Sequence, residues 1–448
     1  MNRLKKYKQY FTPIDLADLM VKLIPEDNIN TIVDLSMGEC GLLEAAKKRW
    51  ENASLYGADI DATLLKNINL KNPYIHTYCG DSLSDEIIQW DEYQQVIDAN
   101  GFDLAIANPP FNYYDQAQIT FSGYTQKLPI EMRFLLKYLN ILKDDGYLCI
   151  ILPYGFLSLD LYKKLRKAIL SEVKICKIIK VFERCFKKID ADTCLVLMQK
   201  KIRANQNTHQ TIAIEYLDEN YSLVTNGEIV VTPTTDRLDL EYYTLCQEIQ
   251  NILVKSKYPT HSMGLYISEC KRGKTLANKE KLVSDRGLRY LHTTDLNYLT
   301  ISTRPITNID RNSEYFKDSI VAPEDILVGR VGKACIGKVA IIPRNFSKTV
   351  ISDCIWGLTV QNIDPYYLAL FLASKYGQMQ LKGIAKGSCS KYITQKDLLR
   401  LLVVVPDLDT QLYFREKYIT ILSKRGRTNK KVLLQDLTFE LENSLEKA

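Results

Sequence analysis

The first two hundred residues alternate short apolar strands with helical stretches, which predicts an α/β fold built on a parallel, doubly wound sheet covered on both faces. Two further observations set its limits. The chain has 448 residues, 46% hydrophobic and 25% charged, a balance that suits a globular protein and excludes a disordered or low-complexity one. At roughly 150 residues per domain this length predicts two or three domains. The alternation loosens across 202–239 in Asn, Gln and Thr clusters, and short β-like runs with polar turns follow. A domain boundary falls there, with a mixed α+β domain and a C-terminal helix beyond it.

Thr31 to Leu35 reads as the first strand, stopped by the turn residues Ser36-Met37-Gly38, and Leu42 to Trp50 takes helical spacing. Ser54 to Ile60 and the helix Ala62 to Leu70 repeat the unit. Tyr74 to Cys79 is a third strand and Phe102 to Ala107 a fourth. Glu131 to Leu142 has the periodicity of an amphipathic helix, and Gly146 to Pro153 the continuous apolar character of a buried strand. Beyond the boundary, strands are predicted at Leu327 to Val331, Ile336 to Ile342 and Val350 to Leu358, and a helix at Tyr366 to Leu381. The apolar run Leu398 to Val405 follows, and the tail from Thr410 is rich in Leu, Lys and Glu. These readings give domains at 1–235 and 245–410 and a helical segment at 411–448.

Composition narrows the function classes. Eleven Cys include no Cys-x-x-Cys pair, and the four His (His76, His209, His261, His292) are scattered, so no metal site is expected. Isolated Cys within apolar runs, such as Cys149, Cys176 and Cys194, suit a reducing compartment. No window approaches the roughly 18 apolar residues that a membrane span needs. A cytoplasmic protein without a membrane partner is expected. The net charge of +6 is unevenly spread: residues 1–200 hold 25 basic and 26 acidic residues, whereas 251–400 hold 23 basic and 12 acidic, a balance of +11. The second region has the charge of a module that meets a polyanion, although a solvated lysine surface would give the same count.

The sharpest motif is Asn108-Pro109-Pro110-Phe111, directly after the fourth strand. The prolines fix the backbone and remove two donors. That leaves the Asn108 side-chain oxygen and the Pro109 carbonyl as adjacent acceptors beside an aromatic plate, a receptor for a planar NH2 group on a ring. The competing reading is an ordinary strand-ending turn. Three other strand ends carry acids: Asp34 with Ser36 and Gly38, Asp59 in Gly57-Ala-Asp-Ile-Asp61, and Asp81 with Ser82. An acid after the second strand can take both hydroxyls of a ribose. Acidic strand ends without a phosphate-cradling Gly-x-x-x-x-Gly-Lys loop suggest an adenosine-bearing cofactor lacking phosphates, and S-adenosylmethionine fits.

This order of motifs resembles that of the gamma-class adenine-N6 DNA methyltransferases, over roughly residues 1–200. The resemblance implies a Rossmann-like, S-adenosylmethionine-dependent methyltransferase domain. Phe11-Thr12-Pro13 resembles the family's opening motif, and with Asp34, Ser36, Gly38, Asp59, Asp81, Ser82 and Asn108 it would form the cofactor site. Asn108, Pro109, Pro110 and Phe111 would form the catalytic motif, with Phe111 and Phe186 stacking on a flipped adenine and Phe182 as the rival of Phe186. One departure concerns the cofactor turn, where Leu35 and Cys40 replace the family's usual Pro and second Gly. A narrower pocket near the methionine moiety is expected from it.

The second half resembles the target recognition domain of type I restriction specificity subunits, through Leu327-Val-Gly-Arg330-Val-Gly332, Ile336-Gly337-Lys338, the run from Tyr367 to Gly377 and that from Leu398 to Gln411. This resemblance implies double-stranded DNA as partner, and Lys271, Arg272, Lys274, Arg330, Lys333, Lys386 and Lys391 as candidate DNA contacts. A site-specific adenine methyltransferase acting as a monomer is the leading expectation. Any cleavage would reside in a separate restriction endonuclease subunit. The alternatives are a methyltransferase for RNA or for a protein glutamine amide, which would not need the basic domain, and a non-catalytic specificity subunit, which would not need Asn108 to Phe111.

Overall fold

The computed structural model describes residues 12–112, 114–181, 192–201, 209–232, 235–276, 283–302, 307–310, 314–387, 390–424 and 429–446. The chain divides into two units, Met1–Leu240 and Glu241–Ala448. In the first, helix α1 (Ile14–Leu23) leads into strand β1 (Thr31–Asp34), α2 (Gly41–Arg49), β2 (Ser54–Asp59), α3 (Ala62–Lys71), β3 (Ile75–Cys79), α4 (Asp91–Asp98) and β4 (Phe102–Ala107). A hairpin of β5 (Gln116–Phe121) and β6 (Tyr124–Pro129) precedes α5 (Ile130–Ile141) and β7 (Leu142–Pro153). Helix α6 (Lys163–Glu172), β8 (Val173–Lys180), β9 (Thr193–Lys200), β10 (Gln210–Leu217) and β11 (Leu223–Val231) complete the unit.

These strands form one nine-stranded sheet in the order β11-β10-β8-β9-β7-β4-β1-β2-β3. From β3 through β2, β1 and β4 to β7 the strands run parallel. The sheet is mixed beyond that point, because β9 returns antiparallel between β7 and β8 and β11 runs antiparallel to β10. Every residue of β4 is buried, which is why it reads as an unbroken apolar run rather than an alternation. The order reverses at β1, whose neighbours are β2 and β4, and a doubly wound sheet opens a ligand crevice beyond its strand ends at such a point. The polar 202–239 stretch carries β10 and β11 and extends this sheet; the division between units comes at its end, at Leu240.

The second unit opens with α7 (Leu240–Val254) and builds small sheets from β12 (Thr260–Ser262), β13 (Ile267–Arg272), β14 (Val283–Leu291), β15 (Asn308–Ile309), β16 (Ile320–Val321), β17 (Ile326–Gly329), β18 (Val339–Ile341), β19 (Thr349–Ile351), β20 (Ile355–Val360) and β21 (Leu402–Val404). Their orders are β13-β20-β17-β18, β15-β14-β19-β16 and β12-β21. Helix α8 (Pro365–Ala373) is apolar on nearly all sides, and from Tyr366 to Leu372 it is buried. Helices α9 (Lys375–Ile384) and α10 (Gln395–Leu399) follow it. Helices α11 (Leu408–Ser423) and α12 (Lys430–Leu445) pack into the same core through Phe414, Tyr418, Leu434, Leu437 and Leu441. The tail thus belongs to this unit and is no independent segment.

Arg166 on α6 is the largest fully buried side chain of the first unit. Its guanidinium donates to the carbonyls of Phe156 (2.7 Å), Leu159 (2.9 Å) and Asp236 (2.5 and 3.0 Å), and so ties the end of the unit to the turn after β7. A hydrogen bond to a charged group contributes roughly 1.5–3 kcal/mol, and carbonyls left unpaired add their own penalty. Arg166→Met is expected to lower the unfolding free energy by about 3 kcal/mol or more, measured by urea denaturation against wild type.

Candidate functional site

The carboxyl ends of β1, β2, β3 and β4 share one edge of the sheet, and the acidic residues read from the sequence lie there. The turn after β1 is tightly made. Asp34 is buried, and its Oδ1 accepts from the Ser36 N–H (2.9 Å) and from the Tyr138 hydroxyl (3.1 Å). Burial pushes its carboxyl up to about 7 despite those bonds. The Tyr138 oxygen also accepts from the Leu35 N–H at 2.8 Å, while Ser82 donates to the Leu35 carbonyl at 2.8 Å. Asp34 and Ser82 therefore brace the turn from within, and their side chains are not open to a ligand.

Asp59 ends β2 and reaches across to the same turn. Its Oδ2 accepts from the Gly38 N–H (3.0 Å) and its Oδ1 from the Asp61 N–H (2.9 Å), while burial raises its carboxyl above the usual range. Gly38 has φ +53°, a conformation that favours glycine. Cys40 has φ +73°, so the position where the resemblance implies a glycine does hold a left-handed backbone, at some strain for a cysteine. The Cys40 side chain is fully buried in the apolar core with Leu42 and Leu43, and takes no space from the open side of the turn. Asp81 is exposed, with its carboxylate accepting from the Leu83 N–H at 2.9 Å.

Asn108 to Phe111 leave the end of β4. The Asn108 Nδ2 donates to the Thr12 hydroxyl at 3.1 Å, so the opening motif meets the Asn across 96 residues of sequence. Pro109 is buried, and Phe111 is half-buried with one side against the apolar core. The Asn112 N–H donates to Glu131 Oε2 at 3.3 Å. Phe11, Phe182 and Phe186 lie outside the described residues.

Sequence reasoning missed three side chains here. Tyr138 sits on the buried face of α5, where a tyrosine needs a partner for its hydroxyl, and that need was the available signal. Glu131 looks like an ordinary acid in a first helical turn, yet it is buried and its carboxyl is raised by that burial. Ile60 follows Asp59 and is 54% exposed, an apolar face beside the acidic strand ends. This edge thus offers the exposed Asp81 carboxylate and Ile60 side chain, with the Asp59 carboxylate buried between them. These acceptors suit the hydroxyls and ring amine of a nucleoside bearing no phosphates.

In the second unit, Lys271, Arg272 and Lys274 gather on the end of β13 and line a groove of 740 Å³ with Glu269, Tyr315 and Asp318. Lys271 pairs with Glu269 at 2.8 Å and Lys274 with Asp318 at 3.5 Å. Arg330 donates to the Asp353 carbonyl at 2.7 Å and lies 5.4 Å over the Trp356 ring. Lys333 is exposed, and Lys391 reaches Glu241 at 3.4 Å. Lys386 contradicts its expected role as a DNA contact: it is 4% exposed and pairs with Asp397 at 2.7 Å, an internal ion pair.

Among the described residues no group of acids, His and Cys could hold a metal ion, and no helix is long and apolar enough to cross a membrane. Residues 2–228 match the N-6 DNA Methylase family, and residues 267–435 match the type I restriction modification DNA specificity domain. The chain is 25% identical over 240 residues to the type II methyltransferase AccI of Acinetobacter calcoaceticus, covering 50% of this chain and 42% of the relative. It is 26% identical over 248 residues to the type II restriction enzyme and methyltransferase Eco57I of Escherichia coli, covering 50% and 24%. It is thus aligned with less than half the length of each of these relatives. The type IIG restriction endonuclease BpuSI is similar over 98% of this chain and 66% of its own, at 12% identity and a TM-score of 0.45. The type I methyltransferase subunit of Streptococcus thermophilus is similar over 46% and 47%, at 23% identity and a TM-score of 0.38. With a family match over 2–228 and the Asn108 to Phe111 motif at the end of β4, the chain belongs to the N-6 DNA methylase family.

Proposed function

We propose that this protein transfers a methyl group from S-adenosylmethionine to N6 of an adenine flipped out of double-stranded DNA, with the second unit reading the sequence. The observation that carries this reading is Asn108, followed by two prolines at the end of β4, on the same sheet edge as Asp59 and Asp81. When bound, the cofactor supplies an electrophilic methyl group. Asp59 would take its ribose hydroxyls, Ile60 would lie against its adenine ring, and Asp81 would accept from that ring's amine. The backbone at Gly38 would face the methionine end.

Asn108 Oδ1 and the Pro109 carbonyl accept from the target amine, which fixes its direction and enriches its nitrogen in electron density. Phe111 offers one stacking face. Phe186 is proposed for the other, since a flipped base needs contacts that offset a few kcal/mol of lost stacking. Lys271, Arg272 and Lys274, one patch on one groove, would supply phosphate contacts that position the reader.

Expression in a methylation-free host, followed by sequencing that detects modified adenines, tests the reading directly. One motif methylated near completion is expected, and an unmodified genome would overturn it. Asn108→Ala is expected to slow methyl incorporation into unmodified genomic DNA by about a hundredfold or more, with cofactor affinity unchanged in equilibrium binding.

Replacing Lys271, Arg272 and Lys274 together by Ala should weaken DNA binding on all sequences and reduce the slope of log affinity against log salt by up to about 2.7, at ~0.9 per phosphate contact. Fluorescence anisotropy over a salt series measures it. Lys386→Ala should leave that slope unchanged and lower the melting temperature.

Asp34 adds a pH dependence. Its carboxyl is raised to about 7 in the fold from an ordinary 3.8, so the folded state holds the proton more tightly than the unfolded one. The resulting stability is full below about pH 4 and is lost as pH rises through about 7. Asp34→Asn keeps the acceptor for Ser36 and Tyr138 but cannot ionise. Its melting temperature should fall less between pH 5 and pH 8 than that of wild type, as calorimetry would record.

A further inference from the structure

We propose that Asp353 is a specificity-determining residue, a carboxylate that accepts from the exocyclic amine of one cytosine or adenine in the major groove of the target. The proposal deepens the functional reading above, because it rests on the basic groove of the second unit meeting duplex DNA. A carboxylate in such a groove repels every phosphate and attracts only groups that donate. Among base edges in the major groove, the donors are the N4 amine of cytosine and the N6 amine of adenine. An ionised carboxyl only accepts, so unlike an amide or a hydroxyl it has a single hydrogen-bonding sense.

Glu269, Asp318 and Asp353 all line the groove of Lys271, Arg272 and Lys274. The first two are taken by Lys271 and Lys274, at 2.8 and 3.5 Å. Among the described residues Asp353 forms no ion pair, and its Oδ1 receives only the weak thiol donor of Cys354, at 3.7 Å. Other carboxylates of this unit are used by the fold: Asp325 accepts from the Ala322 N–H at 2.8 Å, and Asp364 from the N–H groups of Tyr366 and Tyr367 at 2.9 and 3.0 Å. The turn that carries Asp353 is built without its side chain. The Ser352 N–H donates to the Leu291 carbonyl at 2.9 Å, the Ile355 N–H to the Ser352 carbonyl at 3.0 Å and the Arg330 N–H to the Cys354 carbonyl at 2.7 Å. The Arg330 guanidinium then holds the Asp353 carbonyl itself at 2.7 Å. The end of β13 is pressed against this turn, since a Cβ built on Gly273 would stand 1.9 Å from the Ser352 carbonyl oxygen, and only glycine admits that approach. A rigid turn thus presents a half-buried carboxylate beside the cations, which is the placement that base readout needs and phosphate contact does not.

The test selects bound sequences from duplexes with a randomised stretch, using the full-length chain as wild type and as Asp353→Ala. Wild type is expected to select one motif, and the variant the same motif with one position relaxed, where the preference falls by about fivefold to a hundredfold. Affinity for unselected duplex should not fall, since a carboxylate has left a groove that meets phosphates. An adenine or a cytosine at the relaxed position identifies the amine. Replacing that base by its analogue lacking the amine should cost wild type what Asp353→Ala costs, and cost the variant nothing further. A motif unchanged in the variant, an equal loss on all sequences, a wild-type chain that selects no motif, or additive losses from analogue and variant would each overturn the proposal. Should Asp353→Ala not fold, Asp353→Ser, too short to reach the same amine, takes its place in the comparison. A wild-type chain that selects a motif yet leaves it unmethylated fails the functional reading, while the comparison of variants still decides the role of Asp353.

Discussion

The site depends on one helix. Tyr138 and Glu131 stand seven residues apart on α5, two turns and roughly 10 Å along its axis. Tyr138 donates to Asp34 and accepts from the Leu35 N–H, while Glu131 accepts from the Asn112 N–H. One rigid element therefore grips the turn after β1 and the loop that follows Asn108. All three side chains involved are buried, and burial raises both carboxyls. Burying carboxyls is unfavourable unless their hydrogen bonds are made, so the arrangement exists only when helix, turn and loop are all in place. The spacing between the two halves of the site is then a property of the fold and no longer of two separate loops.

Much of this was legible in the sequence, and the reasons are local. A strand such as Phe102 to Ala107 announces itself because burial on both faces demands an unbroken apolar run, and the glycines and acids at the strand ends mark turns. The bonds that make the site rigid were not legible, because they join positions far apart. Tyr138 meets Asp34 across 104 residues and Asn108 meets Thr12 across 96. No pattern within a window of ten or twenty residues carries such a pairing. Tyr138 therefore reads as an ordinary core residue, and Thr12, Asp34 and Asn108 as separate site candidates with no pairing among them, until the sheet order brings these positions together.

In the second unit the misreadings have a different cause. The run from Tyr366 to Leu381 reads as one helix, yet Ser374 ends α8 and starts α9: its hydroxyl donates to the Phe371 carbonyl at 2.6 Å and accepts from the Gly377 N–H at 3.5 Å. A single serine that caps both ways breaks a helix without disturbing its apolar pattern. Val350 to Leu358 likewise splits into β19 and β20 at Ser352-Asp353-Cys354, where the Ile355 N–H bonds back to the Ser352 carbonyl. The polar triplet was the signal. Leu434, Leu437 and Leu441 give the tail its buried stripe, and helical spacing of that kind calls for a partner without saying which one.

Charge is the property for which counting fails most clearly. The +11 balance of residues 251–400 treats every lysine alike, but Lys386 is an internal ion pair and Arg330 is partly committed to the Asp353 carbonyl. Lys271 and Lys274, on the groove, each have a carboxylate neighbour of their own. These last pairs are half-exposed, and such pairs contribute about 1 kcal/mol or less. A phosphate approaching the groove would thus displace Glu269 and Asp318 at small cost, whereas Lys386 is itself buried at its partner and out of a phosphate's reach. What qualifies a cation as a DNA contact is the ease with which it gives up its present partner, and burial, which the sequence does not print, decides that.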